Sequence, residues 1–395
     1  MSLESISAIT FLLFLAVLVY LDRKNIEFKY GLVLRRTQKG KKFIYRIARK
    51  YGEKLKILGN VGIIICIGAS IAGLFLLVNS SVKMVIKPEE ATPGVKLVIP
   101  SVPGVKMPGF VLGVPFWYWI IGVFSVLMAH EPMHALLARA EKIRIKSFGL
   151  LLLFFLPGAF VDPDEKQLKK LSMLSKLRIY AAGSFGNLIL AAIFLLLILG
   201  YNRLIDYLMV PNGVVFENVI EGSGAAEANL EGIIIEMNGE EIKTLGDFAR
   251  IIEKVKPGEV VEIKTTKGLY QVKTSQHPDD PERAFVGISK PRTLFVYTGH
   301  LGLKGVVPER TLNLLSWVFG LFGWIFALNL GIGVFNLFPI KPLDGGLMFE
   351  EILTHYVKKG KDVKLLVNGV SLIVLLLVLF NLFGPSFIKL ASRFF

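Results

Sequence analysis

Six apolar runs, at residues 5–21, 57–78, 116–138, 179–200, 312–334 and 365–383, constrain this chain more than any other feature. A helix needs about 20 mainly apolar residues to cross a bilayer. In lipid the backbone must also satisfy its own hydrogen bonds, which leaves helices and closed barrels. The expected architecture is a polytopic α-helical membrane protein with about six transmembrane helices. Hydrophobic residues make up 53% of the 395, in line with that reading. A seventh run, 148–161, is too short to span and holds Pro157-Gly158. It reads as a re-entrant hairpin or as strands embedded in the membrane.

The first run has no basic segment before it and no small-residue cleavage site after it, so it reads as an anchor and not as a removed signal. The charge then sets an orientation. Residues 22–56 hold 13 Lys and Arg against three acids, whereas 203–310 hold 13 against 16. Basic loops stay in the cytoplasm. With 22–56 inside, the basic residues after Arg139, those of 162–178 and those ahead of the last run all fall on the same side. The N-terminus and residues 203–310 fall outside. The formal net charge of +15 is thus a topology signal, with scope for contact with anionic lipid. No stacking or phosphate-binding motif accompanies it, which argues against nucleic acid. Cys66 is the only cysteine, so no disulfide forms within the chain.

Between the fourth and fifth runs, residues 207–290 are soluble in composition. Alternation predicts strands over 213–219 and 260–266, and Asn238-Gly239 predicts a hairpin turn. Residues 244–256 form an amphipathic helix with Leu245, Phe248, Ile251, Ile252 and Val255 on one side, ended by Pro257-Gly258. This small α+β module resembles a PDZ domain with permuted strand order, through Gly222-Ser223 ahead of Ala225-Ala226, then Asn238-Gly239 and Pro257-Gly258. Two positions depart from that pattern. Asn229 stands where a glycine is usual, and Ile233 follows Gly232 where an aspartate is common. Such domains bind peptides by adding a strand to a sheet edge.

The chemistry concentrates in the third run, which contains His130-Glu131-Pro132-Met133-His134. Ionisable groups at membrane depth are expensive and usually functional. Histidines at i and i+4 share one helix face, as two ligands of a tetrahedral zinc require. Glu131, rotated by about 100°, can address a water held there. The pattern is the zincin signature. His277, His300 and His355 lie in other segments, so a carboxylate is the natural third ligand. The best is Asp344 in "NLFPIKPLDGG", residues 336–346, where two prolines force the chain out of helix at membrane depth. That is tolerated only where the backbone is buried in protein or lines a wet cavity. Asp162, Asp164 and Glu165 follow the seventh run and read as a solvated loop. Pro132 lacks the N–H that would meet the Met128 carbonyl, and a kink at the metal is the expected result.

These features together resemble the site-2 protease family of intramembrane zinc metalloproteases. His130 to His134 with Ala135, Ala138 and Arg139 carry the first motif, "AAGSFGN" ending at Asn187 the second, and Asn336 to Gly346 the third. The resemblance implies that His130, His134 and Asp344 bind one zinc ion. It implies Glu131 as general base and later proton donor, and Asn187 beside the site, steadying an oxyanion or a substrate strand. It implies regulated cleavage within or near single-span membrane proteins, toward the cytoplasmic face, with a peptide as candidate ligand of the PDZ-like module. Pro132, Lys341 and Ser184-Phe185 depart from the family pattern. The expected division is 1–115, an N-terminal span pair with its basic loop. Next come 116–202 and 291–350, the two halves of the protease core, with the module at 207–290 and a last span at 351–395. The competing reading is a catalytically inactive relative that binds membrane proteins through the module. A zinc transporter is disfavoured, because neither internal repeats nor a path of intramembrane charges is present.

Overall fold

The computed structural model describes residues 3–29, 32–101, 104–153, 156–357 and 360–391. It divides into two compact units, one of residues 1–197 with 320–395, the other of 198–319.

The first unit opens with α1 (Leu3–Leu21) and a hairpin of β1 (Ile26–Lys29) and β2 (Leu32–Thr37). Next come α2 (Lys41–Ile86), the parallel pair β3 (Leu97–Pro100) and β4 (Val111–Val114), and α3 (Phe116–Ala140). A second hairpin, β5 (Ile145–Leu153) and β6 (Leu156–Pro163), precedes α4 (Glu165–Lys169) and α5 (Met173–Leu208). After the second unit the chain returns with α8 (Glu309–Asn336), α9 (Asp344–Tyr356) and α10 (Gly360–Ala391). Among the described residues, five helices, α2, α3, α5, α8 and α10, are long and apolar enough to cross a membrane, and Ser5–Leu21 of α1 is a shorter apolar helix. The chain therefore has the build of a polytopic membrane protein.

Small residues set how closely these helices pack, as expected where lipid removes the hydrophobic drive between them. A Cβ at Gly62 of α2 would stand 2.7 Å from Phe185 of α5, and one at Gly73 would stand 2.7 Å from Val334 of α8. The opposite face of α2, with Ile64, Ile71 and Phe75, is exposed and apolar, as a lipid-facing surface must be. Asparagines add polar links. Asn329 of α8 donates to Ser125 Oγ of α3 (2.8 Å), and Asn381 of α10 donates to Ser81 Oγ (2.6 Å) and the Leu77 carbonyl (3.1 Å) of α2. Below these, Arg178 of α5 pairs with Glu141 at 2.7 Å and donates to Asn60 Oδ1 at 2.7 Å, tying α2, α3 and α5 together.

Residues 22–56 are more than the basic loop expected. β2 pairs antiparallel with β5, Leu34 opposite Leu151 and Thr37 opposite Phe148, giving a four-stranded sheet in the order β1-β2-β5-β6. The seventh apolar run is the β5–β6 hairpin; Phe154 and Phe155 of that run lie outside the described residues. Gly149 sits opposite Phe160, whose ring occupies the space a side chain would take. Asp162 belongs to β6 and pairs with Arg36 at 3.1 Å and Lys146 at 3.8 Å, while Asp164 caps α4. These acids serve the fold, as members of a strand and a cap instead of a free loop.

The second unit contains β7 (Met209–Val215), α6 (Gly224–Glu227), β8 (Ile234–Met237), β9 (Glu240–Glu241), α7 (Leu245–Ile252), β10 (Val260–Thr265) and β11 (Leu269–Lys273). β12 (Ser275–His277), β13 (Asp280–Phe285) and β14 (Arg292–Tyr297) complete it. Its sheet runs β11-β10-β8-β7-β14, with β9 on β8. Val214, Leu230, Ile234, Met237, Val261 and Ile263 fill its own core. The first strand lies earlier than the predicted 213–219. Beyond Val215 the chain meets residues 287–289 through irregular contacts, including a single bridge between Val219 and Ile288. α7 is shorter than the predicted helix. A capping box between Thr244 and Asp247 starts it, and i→i−3 contacts at Lys254 and Val255 close it ahead of Pro257. The hydrogen bonds that Asp247 accepts from the hydroxyl and N–H of Thr244 hold its carboxyl below the ordinary pKa. Asn229 takes φ +48°, a left-handed conformation that asparagine tolerates better than most side chains.

Arg178→Ala would leave Glu141 buried without its partner, since the two side chains are only 13% and 8% exposed. The expected loss of stability is about 3–5 kcal/mol, recovered in large part by a second, apolar replacement at Glu141. Denaturant unfolding in detergent micelles checks both.

Candidate metal centre

His130 and His134 project from one face of α3 because helical geometry stacks i and i+4. α3 continues as helix through Pro132. α5 meets this face at two glycines. Gly186 lies against the Ala129 carbonyl, and Gly183 lies against the imidazoles, where a methyl group would overlap Nε2 of both. Asp344 arrives from the far end of the chain as the first residue of α9.

A loop, residues 337–343, delivers Asp344, and it is pinned from two sides. Ser70 Oγ of α2 donates to the Leu337 carbonyl at 2.7 Å. Ser371 Oγ of α10 donates to the Pro339 carbonyl at 3.0 Å and accepts from the Lys341 N–H at 3.3 Å. Gly345 and Gly346 press against the backbone of Leu337, Phe338 and Ile340, leaving no room for side chains. The side chain of Lys341 pairs with Glu350.

The result is a compact donor set. His130 Nε2 lies 3.4 Å from Asp344 Oδ2, His134 Nε2 lies 3.4 Å from Asp344 Oδ1, and the two Nε2 atoms are 3.1 Å apart. Tetrahedral ligands about 2.0–2.1 Å from zinc would stand about 3.3 Å from one another. The donors therefore fit a single zinc ion, as two imidazoles and a carboxylate with a fourth position open. Of the described residues, His130, His134 and Asp344 form the one His/Cys/Asp/Glu group so placed. His277, His300 and His355 are not members of that group; each lies against an aromatic ring.

Further groups surround this set. The Ile179 carbonyl accepts from His134 Nδ1–H at 2.7 Å, which fixes the tautomer and turns the Nε2 lone pair inward. Ser184 Oγ donates to Asp344 Oδ2 at 3.0 Å. Asn187, fully buried, places its carboxamide 3.2 Å from His130 Nδ1. Glu131 is half-buried beside the set, with the Val161 backbone of β6 at its carboxylate. The structure brings His130, His134 and Asp344, named from the sequence, into one group, with Glu131 and Asn187 beside it. The sequence assigned no part to Gly183, Ser184, Ser70 or Ser371. Small residues and hydroxyls are ordinary in membrane helices, so their types alone carried no signal.

A polytopic membrane fold with two histidines and an aspartate converging at helix depth defines a class of membrane metalloenzyme. Residues 118–379 match peptidase family M50, the site-2 protease family, and the chain belongs to it. It is 28% identical over 382 residues to an uncharacterized protein of Methanocaldococcus jannaschii, covering 90% of each chain. It is 23% identical over 326 residues to a Clostridium perfringens protein named "Putative zinc metalloprotease", covering 65% of this chain and 93% of that one. Family membership and that relative support a zinc metalloprotease.

Gly183→Ala is expected to abolish metal uptake while leaving the helices formed. Metal analysis of the purified variant should show zinc falling from about one per chain toward none, with unchanged far-ultraviolet circular dichroism.

Proposed function

We propose that this protein is an intramembrane zinc metalloprotease that hydrolyses peptide bonds within or near the transmembrane helices of single-span membrane proteins, in regulated intramembrane proteolysis. The observation that carries the reading is the convergence of His130, His134 and Asp344 to within 4.8 Å of one another from two distant parts of the chain. His130, His134 and Asp344 are the zinc ligands in this reading. When bound, zinc supplies Lewis acidity for activating a water and polarising a peptide carbonyl.

Glu131 is the general base. It accepts the proton of the attacking water and later returns it to the leaving nitrogen. One carboxylate serves both steps because it neighbours the ligand face of α3 without occupying it. The peptide carbonyl carbon forms one bond to the water oxygen and then loses its bond to nitrogen, with Glu131 carrying the single proton from the water to that nitrogen. Asn187 lies in the same site.

A substrate helix keeps its carbonyls hydrogen-bonded to itself and must open before attack. The sheet order ends at β6, and β6 approaches the site through Val161, which packs against the cluster of Ile44, Ala135 and Ile145. An extended substrate segment pairing along β6 would present its carbonyls beside Glu131, by strand addition. By the charge pattern, the active site lies toward the cytoplasm, and the N-terminus and residues 207–290 lie outside in the cell membrane. The second unit, with its own core and strand–helix composition, supports the PDZ-like reading of 207–290. In that position it would screen substrates by the size of their external part.

Glu131→Gln should retain about one zinc per chain and lower cleavage of a single-span model substrate by about 10²–10⁴-fold. Activity near that of the unsubstituted protein would place the base elsewhere, and absence of cleavage by the unsubstituted protein would favour the inactive relative. A second check concerns screening. A substrate truncated to a short external stub should be cut faster than the same span carrying a folded external domain, as read on gels from proteoliposomes. Equal rates would remove the screening role.

A further inference from the structure

Each donor of the candidate centre has one outer partner, and one of the three pairings is chemically incomplete. His134 gives its Nδ1–H to the Ile179 carbonyl, and Asp344 accepts from Ser184. His130 Nδ1 faces the Asn187 amide nitrogen at 3.2 Å, while Asn187 Oδ1 is buried with no hydrogen-bond partner. Nε2 of His130 points at the other two donors. Ligation through Nε2 needs its lone pair there, so the ring proton must sit on Nδ1. An Nδ1–H cannot bond an NH₂ group, because both only donate. Nor can it stay unmade without penalty, since a buried donor left unpaired loses about 1–3 kcal/mol. A half-turn of the carboxamide exchanges Oδ1 and Nδ2 in nearly the same volume and sets an acceptor opposite the Nδ1–H.

We infer that Asn187 is a positioning residue whose side-chain oxygen accepts the Nδ1–H of His130, holding that imidazole in the tautomer and direction that metal binding requires. The inference rests on the zinc-site reading above and assigns Asn187 a role distinct from donating to a substrate oxyanion. The surroundings suit a fixed partner. The residue is 0% exposed, and Gly333 of α8 packs directly on its Cβ. Ser184 is already engaged with Asp344, so its hydroxyl does not compete for His130.

Zinc affinity of the full-length protein in detergent micelles, measured by competition with a chromophoric chelator, tests this. Asn187→Leu, which removes the acceptor, should bind zinc about 10–100-fold more weakly, as for outer partners of metal-bound histidines. Asn187→Asp keeps an acceptor oxygen and loses the NH₂ group; it should bind zinc at least as tightly as the unsubstituted protein. A group serving only as oxyanion donor would give the opposite pattern, with affinity unchanged in both variants and cleavage lost in both. Nitrogen-15 NMR of labelled histidine in the zinc-loaded, unsubstituted protein gives a second readout, taken with Asn187 in place. The His130 signal, assigned by its loss in His130→Ala, should show a protonated Nδ1 and a metal-bound Nε2. An unprotonated Nδ1, or an Asn187→Leu variant with unchanged affinity, overturns the assignment. If the unsubstituted protein takes up no zinc, the metal-site reading itself fails, a different result from uptake that is indifferent to Asn187.

Discussion

The close approach of α3 and α5 is the constraint on which the rest depends. Two imidazoles, a carboxylate and a carboxamide share a volume inside helices that are otherwise apolar. Each would be expensive in lipid without a partner. Gly183 and Gly186 let α5 lie directly against the ligand face of α3, so that Ile179, Ser184 and Asn187 reach the donors. The glycines are thus the geometric condition for satisfying the polar groups, and the polar groups give the helices a unique register.

The second condition is a piece of non-helical backbone at membrane depth. The loop 337–343 ends α8, turns, and begins α9 with Asp344. Hydroxyls from α2 and α10 hold its carbonyls, which is how such backbone escapes the penalty of lipid. α2 and α10 contribute no donor to the centre, yet they fix the segment that delivers one. The buried Arg178–Glu141 pair and the Asn381–Ser81 link hold those helices in turn.

The hairpin sheet shows where sequence reading stopped short. The apolar run 148–161 was legible as something other than a span, because of its length and Pro157-Gly158. Its pairing with β2 was not, because Leu32 to Thr37 lie among basic residues and over a hundred positions away. Charge obscured the alternation there. In the second unit, amphipathic spacing placed α7, though it overran the helix at its end, and the Asn238-Gly239 turn signal placed the β8–β9 hairpin. The first strand was misplaced because its far end pairs irregularly.

The sequence by itself determined the chemistry offered: apolar runs of membrane length, histidines one turn apart, and an aspartate in a Pro- and Gly-broken segment. These are local properties, set by helical periodicity and by the reluctance of charge to enter lipid. Only the tertiary structure decided that Asp344 meets His130 and His134 across 210 residues of chain, and which groups stand behind each donor. Those contacts depend on how near two helices can come, a matter of side-chain volume on both partners at once, which no single segment encodes.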